Sequence, residues 1–146
     1  MPNKRVTTKQ RKRVIERARG CCEYCRSQLD YATQSFSVEH IAPRTRGGKT
    51  ELDNLAFACQ GCNGHKYTKT AGYDSVSNQF APLYHPRQQK WRNHFRWNND
   101  FSLIVGVTPT GRATVDTLQL NRHGVQNLRH VLYAMGKHPV TEHDDL

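Results

Sequence analysis

Cys22-Glu23-Tyr24-Cys25 and Cys59-Gln60-Gly61-Cys62 are two Cys-x2-Cys pairs in a chain that has five cysteines in all. Two residues between thiolates let both sulfurs turn toward one ion, and two such turns complete the tetrahedral S4 set that Zn²⁺ favours. The spacing therefore predicts a structural zinc held by Cys22, Cys25, Cys59 and Cys62, with residues 26–58 inserted between the two turns. Disulfides fit less well, because the cysteine count is odd and residues 1–19 contain no apolar run resembling a signal peptide. Cys21, beside a ligand, reads as a packed or free thiol.

Around this clamp the 146 residues carry 22 Lys and Arg against 12 Asp and Glu, a formal net charge of +10. The excess is concentrated at the start, where Lys4, Arg5, Lys9, Arg11, Lys12, Arg13, Arg17 and Arg19 face only Glu16. A localised basic face attracts a polyphosphate partner through counterion release, although charge alone fits a solvated helix face equally well. The longest apolar stretch, Leu103 to Val107, is far too short to span a bilayer. No membrane association and a cytoplasmic location are expected.

Thr7-Thr8-Lys9-Gln10 has the form of a capping box, which predicts a basic helix to about Ala18 within residues 1–20. Ser35 to Glu39 alternates like a strand, a basic glycine loop follows, and Leu52 to Ala58 reads as a second strand. Asn63 to Lys69 is expected as a short helix that Asn63 begins. Residues 72–146 change texture: first aromatic and polar, then a strand over Phe101 to Val107, a helix from Gly111 to Leu120 capped near Thr110, and a helix from Arg122 to Met135. The last residues, Glu142 to Leu146, are acidic and expected to be loose.

Between and after the cysteine pairs lie Glu39-His40, Asn54 and Asn63. His40 titrates near neutrality and could deprotonate a water. Glu39, its neighbour on an extended chain, points to the opposite side and could hold a metal ion. Asn63 could supply a second side-chain oxygen, and two hard oxygen ligands suit Mg²⁺ or Mn²⁺ bridging a scissile phosphate. Taken singly, His40 reads as a core histidine, Glu39 as a salt-bridge partner, Asn54 as a turn residue and Asn63 as a helix cap.

The wider pattern decides between these readings. Cys-x2-Cys, then Glu39-His40-Ile-x-Pro43-Arg44-x-Arg46-Gly47-Gly48, Leu52-Asp53-Asn54-Leu55 and Cys59-x2-Cys62-Asn63-x2-Lys66 resembles the zinc-containing HNH endonucleases, over about residues 15–70. The resemblance implies an α+β fold with a ββα-metal core over residues 21–71, and metal-dependent hydrolysis of DNA phosphodiester bonds. It also implies that Asn54 braces the loop that holds the His40 ring. The family usually has Asp before its catalytic His and often a third His, so Glu39 and Asn63 make this an HNN variant. The missing imidazole weakens Zn²⁺ or Ni²⁺ as the catalytic ion and favours Mg²⁺ or Mn²⁺.

Arg44, Arg46, Lys49 and Lys66 would line or flank the groove and contact phosphates, with Arg11 and Arg13 adding a second basic rail. His85-Pro86-Arg87, Trp91-x2-His94-Phe95-x-Trp97 and Gly111-Arg112-Ala113-Thr114-Val115 resemble, more loosely, an extension on some bacterial HNH proteins. Its aromatics are expected to complete a small core against the ββα unit. A zinc-stapled DNA-binding module, or a non-catalytic subunit of a phage-defence or mobile-element complex, is the alternative function.

Overall fold

Thr7 caps the first helix, α1 (Thr8–Ala18), as the capping box requires: its hydroxyl accepts from Gln10 N at 3.0 Å and the Gln10 amide oxygen accepts from Thr7 N at 3.0 Å. The computed structural model describes residues 5–140, so Lys4 and the acidic end, Glu142 to Leu146, lie outside the described residues. Val14 and Ala18 bury one stripe of α1 and leave Lys9, Lys12, Arg13 and Arg19 exposed. Arg19 and Gly20 take positive φ, 54° and 71°, which ends the helix and turns the chain into the first cysteine pair.

The next strands differ from the expected bounds. β1 (Ser37–His40) pairs antiparallel with β2 (Leu55–Ala58), with Glu39 opposite Ala56 and His40 opposite Leu55. Leu52–Asn54, expected as strand, is a 3₁₀ turn, and every residue of β2 is buried. The helix α2 (Gln60–Lys66) also starts earlier than expected. Cys59 caps it by accepting from Cys62 N at 3.5 Å, so Asn63 sits one turn inside the helix instead of beginning it. The hairpin and α2 form a ββα unit within a mixed α+β chain, the fold class the sequence implies.

Beyond it, β3 (Ala71–Asp74) and β4 (Gln79–Pro82) form a hairpin, followed by α3 (Trp91–His94), β5 (Phe95–Trp97) and its partner β6 (Ile104–Gly106). The helix α4 (Pro109–Leu118) is capped by Thr108, two residues before the expected Thr110, with Pro109 in its first turn, where the missing N–H costs nothing. α5 (His123–Ala134) is the last helix among the described residues. One apolar cluster runs through both halves, joining Val14, Tyr24, Leu55 and Phe57 to Tyr84, Trp91, Phe95 and Leu118. Trp91 Nε1 donates to Tyr24 O at 2.9 Å, and the Tyr84 ring meets Tyr24 edge-on at 6.3 Å. Tyr73 and Phe80, in contrast, meet edge-to-face in solvent, with ring centroids 5.7 Å apart. No helix among the described residues is long and apolar enough to cross a membrane.

Candidate active site

The first cysteine pair is a tight turn in which Arg26 N reaches Cys22 O at 3.0 Å and Arg26 adopts φ 65°. The second pair spans the end of β2 and the first turn of α2. Their four sulfurs lie within 4.8 Å of one another, with Cys25 and Cys59 Sγ 3.6 Å apart, and all four residues are buried. A zinc tetrathiolate with bonds of about 2.3 Å has sulfur–sulfur edges of roughly 3.8 Å, so the cluster fits that ion. Hydrogen bonds from Cys22, Cys59 and Cys62 hold the Cys25 thiol well below its ordinary pKa. Cys21 stays outside the cluster, buried, with its thiol pushed up to about 11 by burial.

Two arginines from the C-terminal half enclose this cluster. Arg122 donates from Nη2 to Cys59 Sγ at 3.4 Å and from Nη1 to Cys62 Sγ at 3.8 Å. It fits because residue 61 has no side chain: a Cβ there would stand 2.5 Å from the guanidinium carbon. Arg129, buried, donates to Cys25 O at 3.3 Å and to Leu120 O at 2.7 Å.

Adjacent residues on β1 face opposite ways. Glu39 turns inward, where its Oε1 accepts from the Tyr24 hydroxyl and from the Lys66 ammonium, each at 3.1 Å. Its Oε2 is buried without a hydrogen-bond partner. Burial raises the Glu39 pKa, against the lowering effect of Lys66 and Tyr24. His40 is half-buried, with Nε2 2.8 Å from Thr50 Oγ1. Burial, and then the positive charges of Arg44 and Lys66, lower its pKa and favour the neutral imidazole.

Asn54 ties the loop between β1 and β2. Its Oδ1 accepts from Ala42 N at 2.8 Å, and its Nδ2 donates to Ala42 O at 3.0 Å and Lys49 O at 2.9 Å. Gly48 makes this closure possible, since a Cβ there would stand 1.7 Å from Ala42 O. Glu39, His40, Arg44 and Asn63 line one open cleft of about 400 Å³, together with Tyr67.

The basic residues divide. Arg44, Arg46, Lys49 and Arg13 are exposed, and Arg46 Nε donates to Thr68 O at 2.8 Å. Arg11 is half-buried and donates to Phe36 O at 3.1 Å, beside a depression that shares Ser37 and Val38 with the cleft. Lys66 corrects the sequence expectation. It is only 2% exposed and spends its ammonium on Glu39 and on Ile41 O at 2.8 Å, so it cannot reach out to a duplex.

Sequence reasoning missed Tyr24, Thr50, Lys66 as an internal counter-ion, and Arg122. Lys66 had a signal: it lies four residues after Cys62, on the same face of α2 as a buried cysteine. Comparison with known proteins gives no match among curated proteins or solved structures. Residues 22–69 match the family described as HNH endonuclease. That interval holds the four cysteines together with Glu39, His40, Asn54 and Asn63, and it forms an HNH endonuclease family domain.

Proposed function

We infer that this domain is a metal-dependent endonuclease that hydrolyses phosphodiester bonds of DNA, with His40 as the general base. The observation that carries the reading is a pair of neighbours on one strand: an imidazole held neutral at an open cleft, and a carboxylate with one oxygen left unpartnered at the same wall. A phosphodiester anion repels nucleophiles, so its hydrolysis needs a deprotonated water, in-line placement and positive charge around the transition state.

In the tautomer that serves as a base, Nε2–H donates to Thr50 Oγ1, and Nδ1 then carries the lone pair that accepts the proton from water. Asn54 keeps the loop after His40 closed and so fixes the ring's position. Tyr24 and Lys66 hold Glu39 Oε1, and Oε2, which has no hydrogen-bond partner, is the oxygen left for a metal ion. A divalent cation, Mg²⁺ or Mn²⁺, supplies Lewis-acid charge to the phosphate and leaving oxygen when bound. Glu39 and Asn63 would hold it, and Cys22, Cys25, Cys59 and Cys62 would hold a structural Zn²⁺. Arg44, exposed at the rim of the cleft, would lie against a backbone phosphate, and Arg46, Lys49, Arg11 and Arg13 would extend the basic track.

The buried Lys66–Glu39 pair favours a second reading, in which Glu39 is structural and the zinc-stapled domain only binds DNA. Plasmid nicking titrated with Mg²⁺ and Mn²⁺ separates the two. Glu39→Gln and Asn63→Ala are expected to raise the metal concentration for half-maximal nicking tenfold or more. An unaltered titration contradicts ligation by these residues.

A further inference from the structure

The chain leaves α2 through a turn that its sequence does not suit. Lys69 N donates to Lys66 O at 2.9 Å, closing a four-residue turn, and Tyr67 at its first central position has φ 49° and ψ −118°. Those angles belong to a type II′ turn, whose first central position is the province of glycine because a Cβ crowds the backbone there. A bulky aromatic residue in this region is a backbone outlier, and such outliers persist only where the surroundings hold them. Here both flanks are held. Lys66 is pinned inside by Glu39 and Ile41 O, and Thr68 O accepts from Arg46.

The side chain that occupies this costly position does not pack. Tyr67 is 76% exposed, the most open aromatic residue of the described chain, yet it lines the same cleft as His40, Glu39, Asn63 and Arg44. A strained backbone therefore carries a bare π-face to the edge of the candidate catalytic groove, next to a cation suited to phosphate. The faces of nucleobases in an intact duplex are covered by their neighbours. An unpaired base offers a free face, and stacking on an aromatic side chain is sequence-tolerant because every base has one.

We propose that Tyr67 stacks on an unpaired nucleobase beside the scissile phosphate, so that the preferred substrate is DNA that is single-stranded or locally opened. The proposal rests on the endonuclease reading for its substrate, but its test needs no cleavage. The probe is an oligothymidylate strand carrying one 2-aminopurine, free or annealed, titrated with the zinc-loaded full chain in buffer without added Mg²⁺ or Mn²⁺. The single strand is expected to bind more tightly than the duplex, with quenched 2-aminopurine emission. Tyr67→Phe keeps both properties. Tyr67→Leu and Tyr67→Gly lose the quenching and about tenfold in single-strand affinity. Tyr67→Gly does not lower the melting temperature, because glycine accepts these angles without strain.

Quenching and affinity unchanged in Tyr67→Leu overturn the proposal, as does tighter binding of the intact duplex. Binding that depends on Tyr67 in a protein that cuts nothing with any ion would overturn the endonuclease reading alone. Cutting without Tyr67 dependence would overturn the stacking role alone.

Discussion

Lys66 and Glu39 neutralise each other inside the protein, with Nζ and Oε1 3.1 Å apart and side chains only 2% and 5% exposed. The pair joins α2 to β1 at the base of the candidate site. Desolvating two charges is expensive, and the arrangement is tolerable only because Tyr24 and Ile41 O supply further hydrogen bonds. Removing one partner should therefore cost more than removing both. Lys66→Met is expected to lower unfolding stability by about 3 kcal/mol, and the Glu39→Gln/Lys66→Met double variant to regain most of it. Urea unfolding of the zinc-loaded protein measures both. Equal losses in the single and double variants would show that the charge pair is not what couples these elements.

A Zn²⁺ held by Cys22, Cys25, Cys59 and Cys62 would close the chain from residue 22 to residue 62, so its removal should bear on the whole ββα unit. Cys59→Ser, or a strong chelator, is expected to abolish the cooperative thermal transition, since structural zinc contributes folding free energy directly. Metal analysis should find one Zn²⁺ per chain of the unaltered protein. A zinc-free Cys59→Ser protein that melts cooperatively at the unaltered temperature would refute the structural role.

Gly61 gives a prediction whose sign runs against helix propensity. Glycine to alanine inside a helix normally stabilises by about 1 kcal/mol. In α2 the new methyl would meet the Arg122 guanidinium, which donates to both cysteine sulfurs of the second pair. Gly61→Ala and Arg122→Ala are therefore both expected to speed zinc transfer to a chromophoric chelator, by about 10- to 100-fold for a lost outer hydrogen bond. Gly61→Ala protein that holds zinc as firmly as the unaltered chain would place Arg122 outside the metal's influence.

What the sequence revealed and what it hid follow from the range of each interaction. The cysteine spacing, the capping box and Glu39-His40 are local patterns, and each carries its geometry with it. The start of α2 was hidden because a cysteine sulfur, not a usual capping group, accepts from Cys62 N. Lysine belongs on surfaces by default, so the inward turn of Lys66 is evident only once α2 is packed against β1. Arg122 and Arg129 lie some sixty and a hundred residues from the cysteines they enclose, and no periodicity within their own helix points there.

Acid should weaken the fold through its histidines. His85 is lowered from its ordinary pKa by burial and by Arg87, and its Nδ1 accepts from the backbone N–H groups of Arg87 and Gln88 at 3.2 and 3.3 Å. Burial lowers His94 and His138 as well. Their neutral forms are favoured in the folded state, so the unfolded chain binds more protons below the ordinary histidine value of about 6.5, and stability rises with pH through that window. The melting temperature should fall between pH 7 and pH 5. His85→Asn, whose amide oxygen can accept the same two N–H groups without titrating, should soften that fall. A pH-independent melting temperature over this range would contradict the assignment.

Whether the imidazole of His40 takes a proton from the attacking water is read out by single-turnover nicking of supercoiled plasmid DNA. The unaltered, zinc-loaded protein should nick with Mg²⁺ or Mn²⁺ and stop when those ions are withheld. His40→Ala should slow the step by about 10²- to 10⁴-fold while zinc content and melting temperature stay near those of the unaltered chain. A folded, zinc-loaded His40→Ala protein that nicks at the unaltered rate would exclude His40 as the general base.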